Sequence, residues 1–206
     1  MTLKSIFEKV LNARYTHIEQ ETASFATERD GTTLYILFEW SNGATDWRNN
    51  FDFPAKPYRD MKSLWFAHRG FLRVWKTIEP YLHKAIMDLT VDKIIIAGYS
   101  HGAAIALLCH EYCKFNRLDI PVEGYGFGCP RVAWGFLGET VKQRFDGFTV
   151  IRNRRDLITC VPPIWLGFRH VGNVKTIGRT NPIKDHFSER YLIELGGSEN
   201  GYESNV

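Results

Sequence analysis

Gly98-Tyr99-Ser100-His101-Gly102 follows the apolar run Lys93-Ile94-Ile95-Ile96-Ala97 and precedes the small, helix-prone run Ala103-Ala104-Ile105-Ala106-Leu107-Leu108. The pattern predicts strand, tight turn and helix, with a serine at the tip. Glycines stand two residues either side of the serine because so sharp a turn leaves no room for side chains there. The helix start behind Ser100 offers backbone N–H groups and a positive dipole end to any oxyanion forming beside it. Together these features predict a nucleophile elbow, and they confine the chain to folds in which a strand feeds directly into a helix.

The flanking sequence predicts the same class of architecture. The first dozen residues have helical spacing. Residues 21–28 and 32–39 are predicted strands joined through Asp30-Gly31, a hairpin signal. A polar segment follows at 41–50, and 51–58, with two prolines, is predicted irregular. Residues 64–67 read as a short strand. Residues 70–89 read as a helix with Phe71, Val74, Trp75, Ile78, Leu82 and Ile86 on one face and Pro80 as a kink. Beyond the elbow, strands are predicted at 122–127, 148–152 and 170–177, a helix at 134–145, and a helix or strand at 188–195. The polar tail 196–206 is expected to be flexible. Alternating strands and helices predict an α/β fold: a mostly parallel sheet, an N-terminal antiparallel hairpin and helices on both faces. The 206 residues suffice for one domain spanning 1–206.

Composition removes several function classes. The net charge is only +3, and the sole dense basic patch, Arg152-Asn153-Arg154-Arg155, is too short for a nucleic-acid footprint. No run is long and apolar enough to predict a transmembrane segment, and charges interrupt the apolar residues of the N-terminus. Cys109 and Cys113 share a helix face, while Cys129 and Cys160 stand alone; neither arrangement suggests zinc or a disulfide framework. Reduced, buried thiols and a cytoplasmic location are the resulting expectations.

A serine hydroxyl is a poor nucleophile until an imidazole accepts its proton and a carboxylate orients that imidazole. Behind such an elbow the acid and then the histidine follow in chain order, on loops after later strands. Asp156 is the best-placed acid, between the strand at 148–152 and the rigid Val161-Pro162-Pro163. Asp146 lies at a turn glycine, and Asp185 adjoins a candidate histidine too closely to orient it. Among histidines, His101 should point away from Ser100 and His110 lies on the elbow helix. Spacing favours His186, at the end of a loop, over His170, at the start of a strand.

The chain resembles the class 3 lipases, the fungal-type triacylglycerol lipase family of the α/β-hydrolase fold, over about residues 21–195. The resemblance is carried by the hairpin with Tyr35-Ile36-Leu37-Phe38, Asp46-Trp47, His68-Arg69-Gly70-Phe71 with Trp75, and the elbow with Ala103-Ala104. It continues through Gly126-Phe127-Gly128-Cys129-Pro130-Arg131-Val132, the acid loop from Asn153 through Asp156 to Pro163, Arg169-His170-Val171-Gly172, and Asp185-His186-Phe187 with Tyr191. It implies Ser100 as nucleophile, Asp156 as orienting acid and His186 as general base, with His170 structural. The implied oxyanion hole uses the N–H of His101 and of Ser41, with Asn42 and Gly43 as the alternatives to Ser41.

Three departures from the family pattern stand out. Glu39-Trp40 replaces the usual Arg-Gly before the oxyanion residue, and Tyr99-Ser100-His101-Gly102-Ala103 replaces the usual His-Ser-Leu-Gly-Gly. The chain is also shorter than many secreted members. Trp40 and Trp47 are the candidates for acyl pocket and lid. The implied activity is hydrolysis of a lipid or small acyl ester through an acyl-enzyme, without metal or organic cofactor. A transient lipid-interface contact is implied, with no nucleic-acid partner. The alternatives are a non-catalytic lipase-like binding domain, or a thioesterase or acyltransferase.

Overall fold

The computed structural model describes residues 1–18, 23–40, 54–59, 64–178 and 185–197. Among them, seven strands form the main sheet: β1 (Thr16–Ile18), β2 (Ala23–Asp30), β3 (Thr33–Phe38), β6 (Lys93–Tyr99), β7 (Val122–Phe127), β9 (Phe148–Asn153) and β11 (Asn173–Ile177), in the order β1-β2-β3-β6-β7-β9-β11. β1, β2 and β3 pair antiparallel; from β3 onward every neighbour is parallel. The predicted hairpin is therefore the antiparallel edge of a parallel sheet. A smaller antiparallel sheet joins β10 (Phe168–Arg169), β8 (Ala133–Trp134), β5 (Leu64–His68) and β4 (Ala55–Arg59).

The faces of the main sheet are covered by different helices. Side chains alternate along a strand, so Ile36, Phe38, Ile94 and Ile96 enter the core formed with α2 (Arg69–Ile86) and α3 (His101–Asn116). Leu37, Ala97 and Tyr99 enter the opposite core with Phe7 of α1 (Leu3–Asn12) and with Tyr191 and Leu195 of α5 (Ser188–Gly197). α3 is buried around most of its circumference, from His101 through Glu111 to Cys113. Its run of alanine, leucine and isoleucine suits a helix enclosed on every side. α2 buries the stripe read from its spacing and runs on through Pro80.

Several local expectations need correction. Residues 55–59 form β4 despite Pro57, because an outermost strand has one side on which no N–H is required. The expected helix at 134–145 is instead β8, a turn at Gly135 with φ 72°, the single-turn α4 (Glu139–Lys142) and a 3₁₀ turn at Gln143–Phe145. The strand expected from His170 begins at Asn173. α5 extends to Gly197, into the stretch expected to be flexible. All four cysteines are free, with Cys109, Cys113 and Cys129 buried and Cys160 half-buried. Burial pushes the Cys109 and Cys129 thiols well up from their ordinary range.

Candidate active site

Steric demands fix the elbow. A Cβ on Gly98 would stand 2.3 Å from the Gly102 carbonyl oxygen, and one on Gly102 would stand 2.3 Å from that of Glu39. Both glycines are required because β6, the start of α3 and the end of β3 meet there backbone against backbone. Between them Ser100 adopts φ 55°, the one positive φ among described non-glycine residues. The strained conformation is held by the Ser100 N–H donating to Phe127 O at 2.8 Å and by Ser100 O accepting from Ala103 N at 3.1 Å.

The loops after β9 and β11 bring the expected partners to the serine. The Ser100 hydroxyl lies 2.8 Å from His186 Nε2, and His186 Nδ1 lies 2.8 Å from Asp156 Oδ2. A carboxylate facing Nδ1 selects the tautomer with hydrogen on that nitrogen, which leaves Nε2 as acceptor for the serine proton. Asp156 is fully buried. Its Oδ1 accepts from Ile158 N at 2.9 Å and its Oδ2 also accepts from the Tyr191 hydroxyl at 2.7 Å. This arrangement can pass a proton from Ser100 Oγ to an imidazole whose developing charge faces a buried carboxylate.

The competing residues serve elsewhere. Asp185 is buried, its carboxylate accepting from Arg155 N at 3.2 Å and its carbonyl from Asn153 Nδ2 at 3.0 Å. His170 Nε2 donates to Thr159 O at 2.8 Å, and His110 Nε2 donates to Asp146 O at 3.1 Å. Burial lowers both histidines from their ordinary 6.5 to about 4. His101 opens α3, where the first N–H groups of a helix have no intrahelical acceptor. Its ring packs edge-on against Phe71 at 5.5 Å. Trp40 is half-buried and packs at 6.3 Å from Tyr99 on the α1 side of the sheet. Ser41 and Trp47 lie outside the described residues.

Two residues absent from the expected site touch it directly. Tyr191 binds Asp156, and Tyr99 binds the His186 loop through a hydrogen bond from its hydroxyl to the His186 carbonyl. Tyr191 was visible in the sequence only as part of the Asp-His element, and Tyr99 only as a departure from the usual histidine.

A serine elbow on a mostly parallel sheet, with helices on both faces and the histidine and acid on later loops, defines an α/β-hydrolase fold. The family model described as lipase (class 3) matches residues 35–165, and the chain belongs to that family. It is 26% identical to secreted mono- and diacylglycerol lipase 1 of Fusarium solani, over 72% of this chain and 45% of that protein. It is 25% identical to a lipase of Rhizomucor miehei, over 84% of this chain and 50% of that protein. The chain thus spans about half the length of these curated relatives.

Among solved structures, a fungal lipase–inhibitor complex that served as a model for interfacial activation superposes with a TM-score of 0.74. That match has 20% identity and covers 94% of this chain and 89% of the other. A triacylglycerol lipase whose catalytic centre is a serine protease triad superposes with a TM-score of 0.69 at 22% identity, covering 82% and 67%. The cytoplasmic expectation is corrected by the relatives, since those from Fusarium solani, Malassezia restricta and Malassezia globosa are named as secreted lipases. The physical reason is that buried thiols are inert in either redox compartment, so their reduced state does not report location.

Proposed function

We propose that this chain is the catalytic domain of a serine carboxylic-ester hydrolase acting on lipid or acyl esters. The observation that carries the reading is the continuous hydrogen-bonded line from Ser100 Oγ through His186 to buried Asp156, at 2.8 Å for each link. His186 takes the Ser100 proton as Oγ adds to the ester carbonyl. The N–H of His101 and a donor at Ser41 hold the tetrahedral oxyanion. The described end of β3 supports the second donor, because Glu39 O is packed against Gly102 two residues before Ser41. His186 then gives its proton to the departing alcohol, and a water activated by the same imidazole releases the acyl group.

A lipid substrate is supported by the relatives named as mono- and diacylglycerol lipases. A transient contact with a lipid interface is supported by the apolar side chains mounted on the acid and histidine loops. Trp165 is 78% exposed and Phe187, next to His186, is 56% exposed. No described helix is long and apolar enough to cross a membrane.

The test is hydrolysis of p-nitrophenyl esters from acetate to palmitate, with fluorophosphonate labelling, for the chain and for Ser100→Ala. Ester turnover and labelling that both vanish in Ser100→Ala are expected, and the chain-length optimum assigns the acyl preference. A folded protein that neither turns over any ester nor takes the label would refute the reading in favour of a binding domain.

A further inference from the structure

Tyr99 stands one residue before Ser100, and the alternation along β6 directs it to the sheet face covered by α1 and α5. His186 lies against Tyr99 on that same face. The Tyr99 ring lies against the imidazole with centroids 5.3 Å apart and 25° between the planes. Its hydroxyl donates to the His186 main-chain carbonyl. Beneath it is an aromatic platform: Phe7 meets Tyr99 edge-on at 5.4 Å and Tyr191 at 5.9 Å. The ring is therefore braced from behind and has little freedom to leave the imidazole.

We propose that Tyr99 is a positioning residue for His186, fixing its main chain through the phenol and its ring through a stacked face. The proposal rests on the ester-hydrolase reading, in which His186 is the base. Both halves follow from the geometry. The hydroxyl ties a loop residue to the central strand that also carries the nucleophile, so the Oγ–Nε2 separation is set by two anchors rather than one. The π face lies alongside the ring that becomes positive when Ser100 yields its proton, and an aromatic face attracts a cation. Burial raises the Tyr99 phenol well above its ordinary range, so it remains a donor across the working pH.

Other groups also surround His186. Asp156 faces Nδ1 and Ser100 faces Nε2, while Gly128 lies close to Cε1. Tyr191 reaches the site through Asp156, Asp185 turns to the Arg155 N–H, and Glu189 at the start of α5 acts on Tyr99. Arg154 and Arg155 are exposed ahead of Asp156. Tyr191 touches both Tyr99 and Asp156, so Tyr99→Phe, which keeps the ring, separates the hydrogen bond from the packing.

The experiment reads the His186 ring signals by NMR in the whole chain at one fixed pH, with His186 assigned by the signal lost in His186→Gln. It compares wild type, Tyr99→Phe and Tyr99→Leu, alongside kcat and KM on p-nitrophenyl butyrate. Removing the face in Tyr99→Leu is expected to move the His186 ring signals, because the aromatic ring current is lost, and to lower kcat about tenfold or more with KM unchanged. Tyr99→Phe keeps the face, so the ring signals stay in place while kcat falls about fivefold for the lost hydrogen bond. A folded Tyr99→Leu with unmoved His186 signals and wild-type kcat overturns the proposal, and Tyr99→Met gives the same comparison if the leucine variant does not fold. A wild type without esterase activity would remove the hydrolase reading, while the His186 ring signals still decide whether Tyr99 holds the imidazole.

Discussion

Tyr191 donates its hydroxyl to Asp156 Oδ2 at 2.7 Å, the same oxygen that faces His186 Nδ1 at 2.8 Å. The tyrosine oxygen also accepts from Asn153 N at 3.0 Å, so one phenol joins the end of β9 to the acid. Tyr191 is fully buried, and nothing replaces its proton if it is lost. Tyr191→Phe should keep the ring packing while freeing the carboxylate to rotate and leaving a buried N–H unsatisfied. The expected outcome is a fall in kcat of about tenfold with KM nearly unchanged, and a stability loss of about 1–2 kcal/mol. Ester kinetics and urea denaturation measure the two, and full activity in Tyr191→Phe would show that Ile158 N alone suffices to hold the acid.

The elbow glycines give a stability prediction that does not depend on chemistry. A methyl group at position 102 would face two carbonyl oxygens, Glu39 O at 2.3 Å and Phe38 O at 2.5 Å. Backbone cannot rotate aside as a side chain does, so β3 must shift relative to α3. Gly102→Ala is expected to cost about 3 kcal/mol or more and to lower soluble yield. Urea denaturation of Gly102→Ala beside Gly138→Ala makes the comparison, since a Cβ on Gly138 meets nothing within 4 Å. Equal stability of the two variants would contradict the packing described for the elbow.

His110 and His170 give the pH dependence of folding a definite sign. Burial lowers each from 6.5 to about 4 in the folded chain. Between those values the unfolded chain binds more protons, so stability is complete above pH 6.5 and falls as the pH drops toward 4. Each histidine contributes a loss on the order of 3 kcal/mol across that window. Urea midpoints from pH 7.5 to 4.5 should fall for wild type and fall less steeply for His110→Gln. An unchanged slope in His110→Gln would remove His110 from the account.

The elbow was legible because its determinants are local. An apolar strand, two glycines about a serine and a run of small residues specify a turn that few backbones satisfy, and the parallel sheet follows from the alternation around it. Local reading failed where a tertiary neighbour decided the conformation. Pro57 is tolerated because β4 is outermost, and the helix expected from Trp134 gives way to pairing of Ala133–Trp134 with β5 and β10. Ser41 and Trp47 fall outside the described residues.

For the candidate site, the sequence by itself determined the residue types, their chain order and the strained seat of Ser100. It pointed to Asp156 and His186 by position but could not place them in contact. Asp156 and Asp185 were separated by the direction in which the loop after β9 turns, burying Asp156 beneath His186 and giving Asp185 to the Arg155 N–H. Likewise only the folded sheet could reveal that Tyr99 and Tyr191, 92 positions apart, support His186 and Asp156 from one aromatic core. Spacing along a chain encodes which face of a strand a side chain takes. Which loop crosses that face is fixed by packing between elements far apart in sequence.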